Sequence, residues 1–224
     1  MPNELAAVAR ALSLGPAERG SHTGAVGDVE IVATSTGIGT ARAAEATARL
    51  FDALTPDHVM VVGIAGGVDA TRVGAVVLPE VVVDDGTGRE YRPSPLGEHS
   101  AHPASGRLST SDEYSYSSAR IAELIAHGVV AVDMETAAVA AVCEERDRPW
   151  SVVRAISDPV VADADDMVLR LVHPDGSPNV PAALRYTLTH PWRIPGLVRL
   201  GRDASRACRA AASGAADQIR SATS

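Results

Sequence analysis

Aromatic residues are scarce in this sequence, which restricts the side chains that can fill its core. They make up 3% of the 224 residues, and Phe51 is the single phenylalanine, yet hydrophobic residues together reach 46%. Valine, alanine, leucine and isoleucine must therefore supply the core, a composition typical of a buried parallel sheet. The length favours one sizeable α/β domain over two small ones.

Positive charge is neither abundant nor clustered. The formal net charge is −8, and no run of lysine or arginine occurs. Nucleic-acid binding requires a clustered positive footprint, so we expect no such partner. No stretch approaches the roughly 18 apolar residues of a membrane-spanning helix, and the N-terminus lacks the pattern of a signal peptide. The sequence therefore predicts a cytoplasmic protein without a membrane span.

Cysteine is nearly absent. Cys143 and Cys208 lie far apart, and neither has neighbours with the spacing of metal ligands. The residues therefore favour neither a disulfide framework nor a zinc site. The glycine turn at residues 36–39 lacks the third glycine of a dinucleotide fingerprint and the lysine of a P-loop. We expect no metal and no cofactor.

Apolar strands alternate with amphipathic helices along the first part of the chain. Residues 29–35 have the pattern of a strand, residues 40–54 that of a helix, and residues 58–63 that of a second apolar strand. Strand, helix and strand in this order predict a right-handed crossover and a parallel pair. A third apolar stretch, residues 75–83, is long enough for a curved strand. Residues 84–118, rich in glycine, proline, serine and charge, predict loops with room for a short hairpin.

A second helix is predicted at about residues 134–147. Its apolar residues at helical spacing are Met134, Ala137, Ala138, Ala141 and Val142.

The composition changes after residue 158. Residues 195–221 are rich in alanine and arginine and predict a surface helix whose arginines form a solvated face. We therefore divide the chain into a core, residues 1–158, and a helical C-terminal extension, residues 159–224, packed on the same domain.

Carboxylates follow two of the apolar runs directly. The run at residues 129–132 ends on Asp133 and Glu135, and the run at residues 151–156 is followed by Asp158. If both runs are buried parallel strands, these acids lie at the crevice where open α/β sheets bind ligands. A carboxylate there can hold the hydroxyls of a sugar or donate a proton to a leaving group.

Each of these acids also has a purely structural interpretation. Asp133 and Glu135 stand at the start of a helix, where acids act as caps, and Asp133 also suits pairing with an arginine. Asp158 precedes Pro159, a combination typical of turns. Arg154 lies inside an apolar run and requires a buried partner, so an ion pair is favoured over substrate contact.

Four segments in order form a larger pattern. They are residues 35–39 (Ser-Thr-Gly-Ile-Gly), 63–67 (Gly-Ile-Ala-Gly-Gly), 132–137 (Val-Asp-Met-Glu-Thr-Ala) and 154–158 (Arg-Ala-Ile-Ser-Asp). This pattern resembles the nucleoside phosphorylase and nucleosidase superfamily, most closely the branch that contains methylthioadenosine/S-adenosylhomocysteine nucleosidase. The resemblance implies an α/β fold in one domain, with a central, mostly parallel mixed sheet flanked by helices.

The resemblance also implies roles for individual residues. Glu135 matches the carboxylate that holds the ribose hydroxyls, and Met134 matches the residue that packs against the sugar. Asp158, preceded by Ser157 as in the family pattern, matches the acid that protonates the leaving purine at N7. Glu4 matches the carboxylate that activates the attacking water.

Three further residues belong to the expected site by the same resemblance. Tyr114 falls where an aromatic residue stacks on the base, although it suits a surface loop equally well. Gly37 and Gly66, in the first two matching segments, are expected to line the site.

These residue types suit cleavage of a ribosyl C–N bond. Sugar hydrolases use one carboxylic acid for the leaving group and one carboxylate for the water. The resemblance therefore predicts release of adenine from a 5′-substituted adenosine-type nucleoside, with water as the nucleophile. It also implies a homodimer.

Two departures from the family pattern leave alternatives open. The family has a strand before the Glu4 motif, and we expect this first strand to be missing because the sequence begins at the motif. Phosphorylases carry a basic residue and a serine around Gly63, where this sequence has Val61 and Ile64, so an anion would be poorly held.

Two other functions nevertheless remain as alternatives. One is phosphorolysis, including cleavage of adenosylhopane, because residues 172–203 resemble the tail of hopanoid-associated phosphorylases. The other is a non-catalytic nucleoside-binding role.

Overall fold

The structure, a computed structural model, describes residues 1–68, 71–94, 96, 105–113, 115–162, 173, 177, 179, 185 and 189–223. The helices with assigned bounds are α1 (Pro2–Ala11), α2 (Thr40–Ala53), α3 (Ser118–Ala126), α4 (Thr136–Glu145) and α5 (Ile194–Ala222). The strands are β1 (Gly15–Pro16), β2 (His22–Val26), β3 (Val29–Ala33), β4 (Val59–Gly67), β5 (Val76–Val77), β6 (Val81–Asp84), β7 (Glu90–Tyr91), β8 (Arg107–Thr110), β9 (Val129–Asp133) and β10 (Trp150–Pro159).

A mixed sheet forms the centre of the fold. Among the described residues it has seven strands, in the order β5-β10-β4-β9-β8-β6-β7. The longer pairings, β10–β4, β8–β9 and β6–β8, are parallel, whereas β10–β5, β4–β9 and β6–β7 are short and antiparallel. The predicted α/β class and its mixed central sheet flanked by helices are therefore confirmed.

β4 and β10 form the longest pair of this sheet. Both are rich in valine, whose branched side chain suits a strand covered on its two faces. α5 packs on β10 and β4, while α4 contacts several strands and packs against α2. The pair therefore presents its C-terminal end, rather than its faces, to a ligand.

A second sheet corrects one prediction. β1, β2 and β3 form an antiparallel sheet, three-stranded within the described part of the chain, in which β3 pairs with β2 rather than with β4. The predicted parallel pair across α2 is therefore wrong. A two-residue turn at Gly27 and Asp28 joins β2 to β3, and Gly27 has the positive φ of 58° that such a turn requires. This local hairpin determines the partner of β3.

The predicted third strand is divided in two. β5 and β6 occupy residues 75–83 on either side of Leu78 and Pro79, and proline cannot donate a ladder hydrogen bond. β6 and β7 form a short hairpin in the region predicted as loops. β8 and the start of α3 lie in that region too and were not predicted, because the sequence of β8, Arg-Leu-Ser-Thr, carries little apolar signal.

α4 lies inside the predicted helix but buries a different face. The predicted helix was expected to bury its five apolar residues at helical spacing. Ala137 is fully buried, whereas Met134, Ala138, Ala141 and Val142 are half-buried. A helix that contacts strands on one side and α2 on another is apolar around most of its circumference, so spacing alone does not select a face. The buried residues are Thr136, Ala137, Val139, Ala140 and Cys143.

α5 differs between its two halves. Its C-terminal half is buried through small residues, among them Ala207, Ala211 and Ala215, whereas residues 194–206 are largely exposed. The predicted surface helix is therefore a surface helix only in its first half, and the predicted boundary at residue 158 stays a prediction. In the described part of the chain, no helix combines the length and apolar character needed to cross a bilayer.

Candidate active site

The predicted carboxylates lie around the C-terminal third of β4. Asp158 on β10 pairs in register with Gly66 of β4, and Gly66 also pairs with Val132 of β9. β9 is antiparallel to β4 whereas β10 is parallel to it. The two acid-bearing strands therefore run antiparallel to each other, and the sequence prediction of two parallel strands is wrong. They nevertheless end beside the same stretch of β4, from opposite sides.

Glu135 occupies the N-cap position of α4, but its side chain does not cap the helix. Its carboxylate accepts a hydrogen bond from the backbone N–H of Gly39 at 3.3 Å and lies 3.3 Å from Nη2 of Arg154. Burial raises the pKa of Glu135 to about 7, Arg154 opposes this rise, and the nearby Asp133 and Glu4 add to it. The carboxylate is therefore directed across the site rather than along its own helix.

Asp133 and Arg154 form a buried ion pair behind Glu135. Nη2 of Arg154 lies 2.5 Å from Oδ2 of Asp133, and the two side chains are only 4% and 1% exposed. Asp133 also accepts hydrogen bonds from the hydroxyl of Thr110 at 2.6 Å and from the hydroxyl and backbone N–H of Thr136. The predictions that Arg154 has a buried partner and that Asp133 pairs with an arginine or caps a helix are confirmed.

Glu4 reaches this cluster from α1. Its Oε1 accepts a hydrogen bond from the backbone N–H of Ile64 at 2.9 Å, and its carboxylate also contacts the amino group of Met1. A Cβ added to Gly63 would lie 2.3 Å from Nη1 of Arg154 and 2.5 Å from Oε1 of Glu4. Glu4 and Arg154 thus converge over Gly63, where only glycine leaves them room.

Asp158 lies in a β-bulge near the end of β10. The register with β4 shifts between Ile156 and Asp158, so Ser157 is the extra residue. The hydroxyl of Ser157 contacts the carboxylate of Asp158 and lies 3.3 Å from the carbonyl of Ala65. Burial raises the pKa of Asp158, while the hydrogen bond from Ser157 opposes the rise. The structure therefore places Asp158 in a strand rather than in the alternative turn.

The glycine turn after β3 is held against this cluster. Gly37 and Gly39 have φ values of 84° and 96°, which favour glycine. Asp112 accepts hydrogen bonds from the backbone N–H of Thr40 at 2.8 Å and from its hydroxyl at 2.5 Å. A carboxylate at the N-terminus of α2 is electrostatically favourable. Asp112 thereby fixes the turn from which Gly39 reaches Glu135.

The remaining predicted residues divide into three cases. Met134 is half-buried beside Glu135. Gly66 leaves little space for a side chain, since an added Cβ would lie 3.0 Å from Val160 and 3.2 Å from Val132. Tyr114 lies outside the described residues.

Sequence reasoning missed the residues that support the carboxylates. Thr110 and Thr136 are fully buried and hydrogen-bonded to Asp133, and Gly39 and Asp112 hold the turn. A polar residue ending a buried strand, as Thr110 does, is the signal that marks such a position.

A cavity of about 350 Å³ lies beside the turn, between α1 and α2. Ser35, Thr36, Gly37 and Arg42 are among its lining residues, but the carboxylates are not. We therefore assign the candidate site to the carboxylate cluster. The described residues contain no group of three histidine, cysteine, aspartate or glutamate side chains arranged to hold a metal ion.

Comparison with known protein families tests the resemblance found in the sequence. The family model of the phosphorylase superfamily matches residues 1–110 and 94–176, which together span more than half of the chain. The chain belongs to the phosphorylase superfamily. Membership confirms the resemblance found in the four sequence segments, three of which contribute Gly63, Glu135 or Asp158 to the candidate site.

Two curated relatives in the superfamily carry the same name. The chain is 32% identical over 173 residues to a 5′-methylthioadenosine/S-adenosylhomocysteine nucleosidase of Exiguobacterium, with 64% of this chain and 74% of the relative covered. It is 31% identical over 171 residues to the nucleosidase of that name from Bacillus velezensis, with the same coverage of each chain.

Solved structures show that the whole fold is shared with other proteins. The nucleosidase of Neisseria meningitidis in complex with methylthio-immucillin-A has a TM-score of 0.72, 20% identity, and coverage of 99% of this chain and 96% of that chain. The futalosine hydrolase of Helicobacter pylori has a TM-score of 0.70, 16% identity, and coverage of 98% and 94%. At these identities the likeness establishes the fold alone.

Proposed function

We propose that this protein cleaves the N-glycosidic bond of a 5′-substituted adenosine-type nucleoside and releases adenine, with water as the nucleophile. One observation carries the proposal. Glu4, Glu135 and Asp158, supplied by α1, the start of α4 and β10, surround the same stretch of β4. The names of the two curated relatives support it.

Asp158 is proposed to act as the acid. Breaking the ribosyl C–N bond leaves its electron pair on the purine, and a proton delivered to N7 neutralises that charge. Burial raises the pKa of Asp158 and so favours its protonated form. The contact with Ser157 holds the carboxyl group in one orientation.

Glu135 is proposed to bind the ribose hydroxyls. Its N–H and guanidinium partners, Gly39 and Arg154, leave room on the carboxylate for further hydrogen bonds, because each carboxylate oxygen can accept more than one. The sugar becomes positively charged as the bond breaks, and ionised carboxylates beside it favour that charge. Glu135 must be ionised for this role.

Glu4 is proposed to position the water and accept its proton. Within the described part of the chain, the backbone N–H of Ile64 is the one hydrogen-bond donor to Oε1 of Glu4, and Arg154 lies close by over Gly63. The water would attack the sugar carbon from which adenine departs, so the bond to oxygen forms as the C–N bond breaks.

Water is favoured over phosphate because Val61 and Ile64 occupy the positions at which phosphorylases carry a basic residue and a serine. Ile64 packs against Ala7, Cys208 and Ala212, and Val61 packs against the main core. Neither position offers a hydroxyl or a cation to an anion.

The last part of the proposal concerns the oligomeric state and the cellular location of the protein. We propose a homodimer in the cytoplasm. Cys143 and Cys208 are both buried and form no disulfide. Free thiols of this kind are typical of proteins in a reducing compartment. Light scattering on the purified protein tests the dimer.

The activity is tested by measuring adenine release from methylthioadenosine, S-adenosylhomocysteine and adenosine, with and without phosphate. We expect turnover that does not depend on phosphate. Asp158→Asn should lower turnover by about 100-fold or more, because the acid is lost. Asp28→Asn, at an exposed position in the β2–β3 turn, is the matched control and should keep full activity.

Three results would contradict the proposal. Turnover only with phosphate would make the protein a phosphorylase. Full activity of Asp158→Asn, with an unchanged circular dichroism spectrum, would remove Asp158 from the mechanism. Thermal stabilisation by these nucleosides without turnover would instead support the non-catalytic binding role.

A further inference from the structure

We propose that the N-terminal half of α5, with the turn before it, docks on the surface of an anionic lipid bilayer. The docking face consists of Trp192, Ile194, Leu197 and Val198. It is independent of the nucleoside site, to which none of these residues belongs.

Large apolar side chains are exposed together on this face. Trp192 is 71% exposed, Val198 46% and Ile194 41%. Ile194, Leu197 and Val198 have the i, i+3, i+4 spacing that places residues on one side of a helix, and Leu197 is half-buried between the two exposed residues. Trp192 lies in the 3-10 turn before α5, where its ring contacts His190 with centroids 5.4 Å apart. Apolar residues exposed singly are ordinary, but an apolar helix stripe with an exposed tryptophan next to it in the chain marks an interaction surface.

This stripe is not needed to attach α5 to the protein. The residues that bury α5 against the sheet and α1 begin at Ala207. Residues 194–206 thus extend along about 20 Å of helix, at 1.5 Å per residue, with most side chains in solvent.

Positive charge accompanies the apolar stripe. Residues 192–206 contain four arginines and one aspartate, a net charge of +3 in a chain whose net charge is −8. Arg199 is 86% exposed and pairs with Asp203 at 3.6 Å, and Arg202 is also exposed. Arg206 lies over Gly74 instead. Arg199 and Arg202 therefore supply cations beside the docking face.

An apolar stripe, an exposed tryptophan and flanking arginines together match an anionic membrane surface. Such a helix lies in the plane of the interface, with its apolar side among the acyl chains and its cations at the anionic headgroups. Arginine can extend its apolar stem along the surface while its guanidinium stays at the headgroups. A nucleic acid would not use the apolar stripe.

The test uses the intact protein and vesicles of two compositions, phosphatidylcholine alone and phosphatidylcholine with phosphatidylglycerol. We expect the protein to float with the anionic vesicles, and less so as salt is raised. Trp150 is only 2% exposed, and the chain has two tryptophans. A blue shift of fluorescence on binding therefore reports Trp192 entering the interface.

Two pairs of variants separate the apolar and the charged contributions. Val198→Asp should weaken binding about tenfold or more, whereas Ile125→Asp, at a position on α3 that is 43% exposed, should not. The double variant Arg199→Gln with Arg202→Gln should also weaken it about tenfold. Its control is Arg10→Gln with Arg148→Gln, which removes the same charge at exposed positions elsewhere.

Three outcomes would overturn the proposal. They are no binding to anionic vesicles, equal binding to both compositions, and a wild-type oligomer that Val198→Asp dissociates while vesicles bind neither form. The last would make the docking face an interface between copies of the chain. Adenine release from soluble nucleosides should be unchanged in all four variants. A failure of the membrane-docking proposal is therefore distinguishable from a failure of the proposed function.

Discussion

At the scale of single residues, one arginine is shared by three carboxylates. Arg154 pairs with Asp133 and Glu135 and converges with Glu4 over Gly63. Arg154 and the amino group of Met1 supply two cations beside three acids, which leaves excess negative charge where the proposed reaction generates a positively charged sugar. Burial raises the pKa of Glu135, and the charges of Asp133 and Glu4 add to the rise, which gives two predictions.

Glu135→Gln should stabilise the protein at high pH. Burial raises the pKa of Glu135 from 4.5 to about 7, so its favourable contribution is present below about pH 4.5 and is lost as the pH rises through about 7. The free energy of unfolding of the variant, relative to wild type, should therefore grow by about 2 to 3 kcal/mol between pH 5 and pH 8. Urea unfolding at both pH values measures this difference.

The control is Glu30→Gln, at an exposed position in β3. Its unfolding free energy, relative to wild type, should not vary with pH in this way. A difference for Glu135→Gln that stays constant between the two pH values would contradict the raised pKa.

Asp133→Asn should shift the pH dependence of activity, on the proposed function. In the wild type, kcat/KM should fall as the pH drops below about 7, because Glu135 becomes protonated. Removing the charge of Asp133 lowers the pKa of Glu135, so the acidic limb should move to lower pH. The pH profile of kcat/KM measures the shift.

Asp133→Glu, which keeps the charge, should leave the limb near its wild-type position. Asp133→Asn also breaks a buried ion pair, at a cost of about 3 to 5 kcal/mol, so its folding is verified at the assay temperature. An unmoved limb in folded Asp133→Asn would show that Asp133 has only a structural role.

At the scale of elements, the site is formed where β9, β10 and α1 approach the C-terminal part of β4 closely. The strand ends in glycines because side chains from β9, β10 and α1 crowd against it. A bulge in β10 then positions Ser157 and Asp158. The site therefore depends on backbone geometry as much as on its acids.

Gly63→Ala tests this dependence. Its Cβ would meet Arg154 and Glu4 at 2.3 and 2.5 Å, so both side chains must move. A displacement of about 1 Å at such a site costs about 100-fold in rate. Adenine release should fall accordingly, whereas Gly15→Ala in β1, where the nearest atom is 4.0 Å away, should retain full activity. Equal activity of the two variants would contradict this account of the site.

At the scale of the whole molecule, the C-terminal helix α5 packs against the N-terminal helix α1. α5 also packs on the central sheet, and Arg220 donates a hydrogen bond to the carbonyl of Ala11 at 3.2 Å. Ala155, Ala207 and Ala211 form a tight cluster between α5 and β10. The stability of the whole fold should depend on this small-residue contact.

Ala211→Leu should lower the free energy of unfolding by about 1 to 3 kcal/mol, because the added side chain cannot fit between α5 and β10. Ser213→Leu, at an exposed position of the same helix, should have little effect. Thermal unfolding of both variants measures the difference. Equal midpoints would show that the contact adapts to larger side chains.

Local sequence patterns were sufficient to identify the family and the acids that the structure brings together. An apolar run followed by Asp133 and Glu135 or by Asp158 is a local pattern, and such patterns report strands and what ends them. Two of these patterns, together with the glycine segments at residues 35–39 and 63–67, indicated the superfamily. The buried partner of Arg154 was predictable for the same reason, since a cation inside an apolar strand must be paired.

Which strands pair, and where the carboxylates point, became clear from the folded structure. β3 pairs within its own hairpin, β9 runs antiparallel to β4, and α4 buries a face that its spacing did not indicate. Glu135 turns away from its helix toward Gly39. The pairing of β3 depends on its local turn at Gly27. The other features depend on contacts between residues distant in the chain, each of small energy, whose sum no local pattern contains.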